Sequence, residues 1–174
     1  MMPPSSNPYA LAGGVCFALA GAACDLRWRR IPNRLTGAAL LIALAVNTLI
    51  GGVRGLASSL AACLFAGAAF AIMFFMGGMG GGDVKLMAAI AAFAGLAHLP
   101  ELLLATALAG GVFALAVVII RGALGDILRG LFGGWCFPRT SHNDSPPRAR
   151  LYLPYGVPIA VGALLTFYSG VLAS

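Results

Sequence analysis

Six apolar runs, near residues 9–24, 35–50, 56–76, 84–99, 102–120 and 157–172, take up most of this chain. About 17–25 apolar residues suffice for a helix to cross a bilayer. Only 9% of the 174 residues are charged and 60% are hydrophobic, whereas a soluble domain carries about 25% charged residues. The pattern predicts an all-α membrane protein: a single domain over 1–174, built as a bundle of about six transmembrane helices. The fourth run is short and follows a glycine-rich break, so the predicted bundle has a glycine-broken segment before its fourth span. Gly and Ala are frequent within the runs, as expected where membrane helices pack closely.

The basic residues give an independent reading of the same spans. Arg27, Arg29, Arg30 and Arg34 follow the first run, Lys85 follows the glycine break, and Arg121, Arg129, Arg139, Arg148 and Arg150 lie between the fifth and sixth. If the spans alternate, all of these fall on one side and only Arg54 falls on the other. Cytoplasmic loops are enriched in Lys and Arg, so that side is predicted to be cytoplasmic, with both termini outside. The net charge of +6 is then explained by topology and by attraction to anionic lipid, and no nucleic-acid partner is expected. The 1–9 stretch has no basic residue, so the first run reads as a retained helix rather than a signal peptide. The longest loop, 122–154, is predicted to be cytoplasmic. Leu128, Leu131, Phe132 and Trp135 in it have the spacing of a short interfacial helix. Cys16, Cys24, Cys63 and Cys136 form no C-x-x-C pair, so neither a zinc site nor a disulfide is expected. No cofactor is expected.

Against this background two of the five acidic residues stand out. Asp83 closes Gly80-Gly81-Gly82-Asp83, and a carboxylate beside broken helix in an apolar chain is by default a functional-site hypothesis. Asp25 ends the first run. The charge count puts both on the same side. Each also has a plainer reading: Asp25 as an interfacial charge balanced by nearby arginines, Asp83 as the N-cap of the fourth span. Asn33, after the helix-resisting Pro32, reads as the N-cap of the second span. A close pair of carboxylates shares a proton, so one can activate water while the other donates to a carbonyl, as in aspartic proteases. Lys85 and Arg30 are cations next to these acids in sequence. The glycine run lacks the G-x-x-x-x-G-K-[ST] spacing of a phosphate loop. His98 falls on the opposite side and His142 in the polar loop, which argues against a histidine-based nucleophile. The same two acids also fit an ion or proton relay in a small membrane transporter.

Asp25 followed by Arg30-Ile31-Pro32-Asn33, then Gly77-Gly78-Met79-Gly80-Gly81-Gly82-Asp83-Val84-Lys85-Leu86, closely resembles the prepilin peptidases, the GxGD class of intramembrane aspartic proteases. Pro154-Tyr155-Gly156-Val157-Pro158, opening the last span, is similar to that family as well. The resemblance implies an endopeptidase that removes the basic leader of type IV pilin-like precursors at the cytoplasmic face of the cell membrane. It implies Asp25 and Asp83 as the catalytic pair, with Gly80, Gly81, Gly82, Lys85, Arg30, Pro32 and Asn33 shaping the site. The partners implied are a prepilin or pseudopilin precursor and the lipid bilayer. The chain lacks the paired cysteines of the larger bifunctional members, so the resemblance does not extend to their N-methyltransferase activity. Its size is similar to that of the short peptidases of Flp (tight-adherence) pilus systems, the reading favoured here, or of the archaeal preflagellin-type enzymes.

Overall fold

A computed structural model describes residues 8–120 and 155–172. Among them the chain is helical apart from short connections, without strands. α1 is Pro8–Trp28, α2 is Asn33–Phe75, α3 is Gly81–Ile120 and α4 is Gly156–Leu172. Stretches within α1, α2 and α3 (Tyr9–Trp28, Asn33–Phe75 and Gly81–Val117) are long and apolar enough to cross a membrane, and α4 is a shorter apolar helix. The predicted loop 122–154, with its interfacial helix, lies outside the described residues.

At 43 residues, α2 would measure about 65 Å if straight, more than twice the thickness of a hydrocarbon core of about 30 Å. It is not straight. Gly52 interrupts it at φ 58°, ψ −143°, backbone that essentially only glycine adopts. The two arms then fold back on each other: Gly55 sits directly on the carbonyl of Asn47, which no straight helix allows eight residues apart. α3 breaks in the same way at Gly95, with φ 68° and ψ 177°. The apolar runs 84–99 and 102–120 place that connection near Pro100-Glu101. It falls at Gly95 instead, because proline's fixed φ is compatible with helix whereas this backbone conformation demands glycine.

The two breaks are bound to each other. In an unbroken helix the Leu96 N–H would bond the Ala92 carbonyl. Here Leu96 N donates to Ser58 Oγ at 2.9 Å. The released Ala92 carbonyl accepts Ser59 Oγ at 2.7 Å and Asn47 Nδ2 at 2.9 Å. Three polar side chains flanking one glycine thus satisfy both groups freed by the other, as a water-poor interior requires.

The core gathers Ala18 and Ala22 of α1, Leu86, Met87 and Ile90 of α3, and Ile159, Ala160 and Ala163 of α4. Small residues on α1 and α4 let the helices approach closely. Gly21 is so near Leu86 that an added Cβ would lie 2.6 Å from Cδ2. Large apolar side chains such as Leu41, Leu64, Phe65 and Leu104 remain exposed. In water they would be a liability; in a bilayer they face lipid. The described residues belong to two compact units, Met1–Gly110 with Pro154–Ser174, and Gly111–Leu153. The candidate site lies wholly within the first. The described part of the second is the end of α3, with Val112, Leu115, Ile119 and Ile120 exposed.

Candidate active site

Asp25 stands in the last turn of α1, which runs on to Trp28 rather than ending near Cys24. It is only 1% exposed, so it lies buried rather than at the surface. Its Oδ2 accepts the backbone N–H of Gly156, the first residue of α4, at 3.1 Å. Arg29 then takes a left-handed conformation, φ 50°, and its N–H closes on the Asp25 carbonyl at 2.9 Å. That sharp stop turns the chain into the short linker to α2. Within the linker, Ile31 packs over Gly82 of α3, where an added Cβ would meet it at 3.2 Å.

The glycine run divides into parts with different tasks. Gly77, at φ 78°, terminates α2: its N–H bonds the Phe74 carbonyl and that of Gly78 bonds the Met73 carbonyl. This is the Schellman pattern, with glycine in the left-handed position. Met79 then inserts into the core at 9% exposure. Gly80 precedes α3, while Gly81 and Gly82 already belong to it, so the break ends at Gly80. Gly81 lies against Phe74, where an added Cβ would be 3.5 Å from the ring.

Asp83 is therefore the third residue of α3, not its N-cap. From there its Oδ2 reaches back to the Gly80 N–H at 3.3 Å, the reciprocal half of a capping box. The residue is 3% exposed. Its other oxygen, Oδ1, is buried and has no hydrogen-bond partner among the described residues. Asp25 and Asp83 are close enough to interact electrostatically. The fold thus gathers two buried carboxylates from α1 and α3. It holds one oxygen of each on a backbone N–H and leaves an oxygen of Asp83 uncommitted.

The other predicted site residues lie around this pair rather than in it. Lys85 is exposed and donates to Asn33 Oδ1 at 3.0 Å, so it links α3 to the start of α2. Asn33 is the first residue of α2 and not its cap; that position is Pro32, which makes no side-chain capping bond. An Asn side chain committed to Lys85 satisfies none of the first-turn N–H groups. Arg30 and Pro32 are exposed on the linker. Asn33, Thr36, Gly37, Leu40, Lys85 and Ala88 line an open groove of about 290 Å³. His98 lies beyond the Gly95 break, 3.6 Å from Glu101, and His142 is outside the described residues. No group of three or more His, Cys, Asp or Glu side chains among the described residues could hold a metal ion.

Three positions around the pair went unread in the sequence as site residues: Ile31, Gly21 and Gly156. Ile31 shows as the apolar member of Arg30-Ile31-Pro32-Asn33, with no role of its own, and Gly21 as a glycine among alanines. Gly156 carried a signal, a glycine placed where a helix must start ahead of Pro158.

Comparison with known proteins gives one result. The sequence model of the type IV leader peptidase family matches residues 12–115, more than half of the chain and a stretch that holds both Asp25 and Asp83. No curated protein and no solved structure matches. The chain belongs to the type IV leader peptidase family.

Proposed function

We propose that the protein is a membrane-embedded aspartic endopeptidase that removes the basic leader from type IV pilin-like precursors of the Flp type. The observation that carries this reading is the buried pair, Asp25 at 1% and Asp83 at 3% exposure, with Asp83 Oδ1 uncommitted. Two adjacent carboxylates share one proton at neutral pH. The ionised member takes a proton from water as that water attacks the scissile carbonyl. The protonated member donates to the carbonyl oxygen as charge builds there, and a proton then passes to the departing amine. No cofactor enters the cycle.

The membrane setting shapes the substrate. An apolar stem docks along lipid-facing helices, while a basic leader remains in water. Arg27, Arg29, Arg30, Arg34 and Lys85 cluster by sequence at the end of the helices that carries the acids, which on the charge rule is the cytoplasmic end. Among the described residues, counting the arms on either side of Gly52 and Gly95 separately gives six helical segments. That number is consistent with six crossings and with both termini outside.

The test is incubation of the purified protein, in membranes, with candidate precursors, followed by N-terminal sequencing of the product. A new N-terminus at the end of the basic leader supports the reading. Proton-coupled flux in liposomes without any cleavage would replace it with the transporter reading.

A further inference from the structure

α4 is the last helix among the described residues, and its start is built against Asp25. Tyr155 is its cap, since the Tyr155 carbonyl accepts the Ile159 N–H at 3.2 Å. The Gly156 N–H is then one of the first-turn donors that no helix can satisfy from within. It is buried, and it points at Asp25 Oδ2 at 3.1 Å across 131 residues of sequence. The approach is possible only because residue 156 has no side chain. An added Cβ would stand 3.0 Å from Asp25 Cβ and 3.1 Å from the Cα of Ala22. The second of these is backbone and cannot move aside without shifting α1. Other glycines facing α4 differ in kind. Gly110 has room, with its nearest atom, Pro158 Cβ, at 3.8 Å. Gly162 of α4 is pressed against Thr106, well along the helix from the acids.

We infer that Gly156 is a positioning residue for peptide cleavage: its N–H, presented at the start of α4, fixes the orientation of the Asp25 carboxylate toward Asp83. The inference rests on the reading of Asp25 and Asp83 as the catalytic pair. One Asp25 oxygen is held by α4, and this sets where the other can face. The dipole at a helix start adds to the hold, because it favours negative charge there. α4 thereby acts on the pair without supplying a titratable group.

The test compares four variants of the full-length protein in membranes, by kcat and KM for precursor cleavage and by thermal unfolding. Gly156→Ala keeps the N–H but displaces Asp25. Gly156→Pro adds the same Cβ and also removes the N–H, at the first helical position, where the helix itself tolerates proline. Gly162→Ala disturbs α4 packing away from the acids, and Gly110→Ala is a benign control. The expected result is a fall in kcat of about 100-fold for both Gly156 variants, the scale of a 1 Å misplacement, with KM little changed. Gly162→Ala, even where it lowers the unfolding temperature as much, keeps most of its kcat. Wild-type kcat in Gly156→Pro overturns the inference, because the N–H would then carry nothing. It is also overturned if kcat in the Gly156 variants falls only in step with stability, as in Gly162→Ala. The two failures are separable: an inactive Asp25→Asn beside a fully active Gly156→Pro sinks this inference alone, whereas a fully active Asp25→Asn sinks the catalytic pair and this inference with it.

Discussion

Asp83 and Gly80 are joined by a hydrogen bond of 3.3 Å that uses only one oxygen of the carboxylate. The other oxygen stays buried and unbonded among the described residues. A carboxylate serving only as a cap would need neither burial nor an idle oxygen, since a helix start exposed to water suffices. On the proposed reading, capping and chemistry are divided between the two oxygens of one group. The cap sets the orientation, and the idle oxygen is what a substrate or a water can meet.

The loop that delivers Asp83 depends on Gly77 for its backbone and hardly at all on Gly78. Gly77 has φ 78°, which costs an L-residue about 1–2 kcal/mol. Gly77→Ala is therefore expected to lower stability by about that amount, measured by unfolding in detergent. Gly78→Ala, with only the Met73 carbonyl near, at 3.4 Å, is expected to change it far less.

Asn47 and Ser59 share one acceptor, the Ala92 carbonyl. Each single change to Ala leaves that carbonyl one partner and should cost about 0.6–1 kcal/mol, the usual scale for such bonds in membrane proteins. The double variant leaves a buried carbonyl without either and should cost more than the sum of the two. A double-mutant cycle on unfolding free energy measures the coupling. Strict additivity would mean that the two bonds are independent.

Gly21 and Leu86 set the spacing of α1 and α3, one turn from Asp25 and Asp83 respectively. An added Cβ at Gly21 would lie 2.6 Å from a Leu86 methyl. Gly21→Ala should therefore destabilise by about 1–3 kcal/mol through overpacking and reduce cleavage. Trimming the partner with Leu86→Val should restore part of both, as read by unfolding temperature and cleavage rate in the same preparations.

Lys85 makes the opposite prediction from its sequence position. Two residues from Asp83, it reads first as a topology charge and second as a cation tuning the acid. Its ammonium instead turns to Asn33 Oδ1 and is exposed. Lys85→Ala should change stability by about 0.5 kcal/mol or less, as surface changes do, and should leave kcat for precursor cleavage near that of the wild type. A large loss of kcat would put Lys85 in the site after all.

The readable and unreadable parts of this fold divide along the range of the interactions involved. Helical content and the membrane character follow from apolar runs too long for a soluble domain. Asp25 and Asp83 were readable because an acid in such a run is costly and therefore rare. Asp83's exact place in its helix was not: Gly80, Gly81 and Gly82 look alike in sequence, and only backbone geometry shows that Gly80 caps while the other two are helical. The break at Gly95 was hidden by the more conspicuous Pro100. Gly156 stood in a readable stretch, Pro154-Tyr155-Gly156-Val157-Pro158, but its partner was not readable, because α1 and α4 meet across 131 residues, a distance over which no local pattern carries information.

The central claim is that Asp25 and Asp83 together cut the precursor. Its most direct measurement is the cleavage rate of a pilin-like precursor in membranes containing Asp25→Asn or Asp83→Asn protein, with folding checked by unfolding temperature. Asn keeps the shape and an acceptor oxygen but cannot exchange a proton. Each variant is predicted to remain folded and to lose activity by about 10²–10⁴-fold, the share a positioned acid or base contributes. Wild-type cleavage by either folded variant would contradict the account.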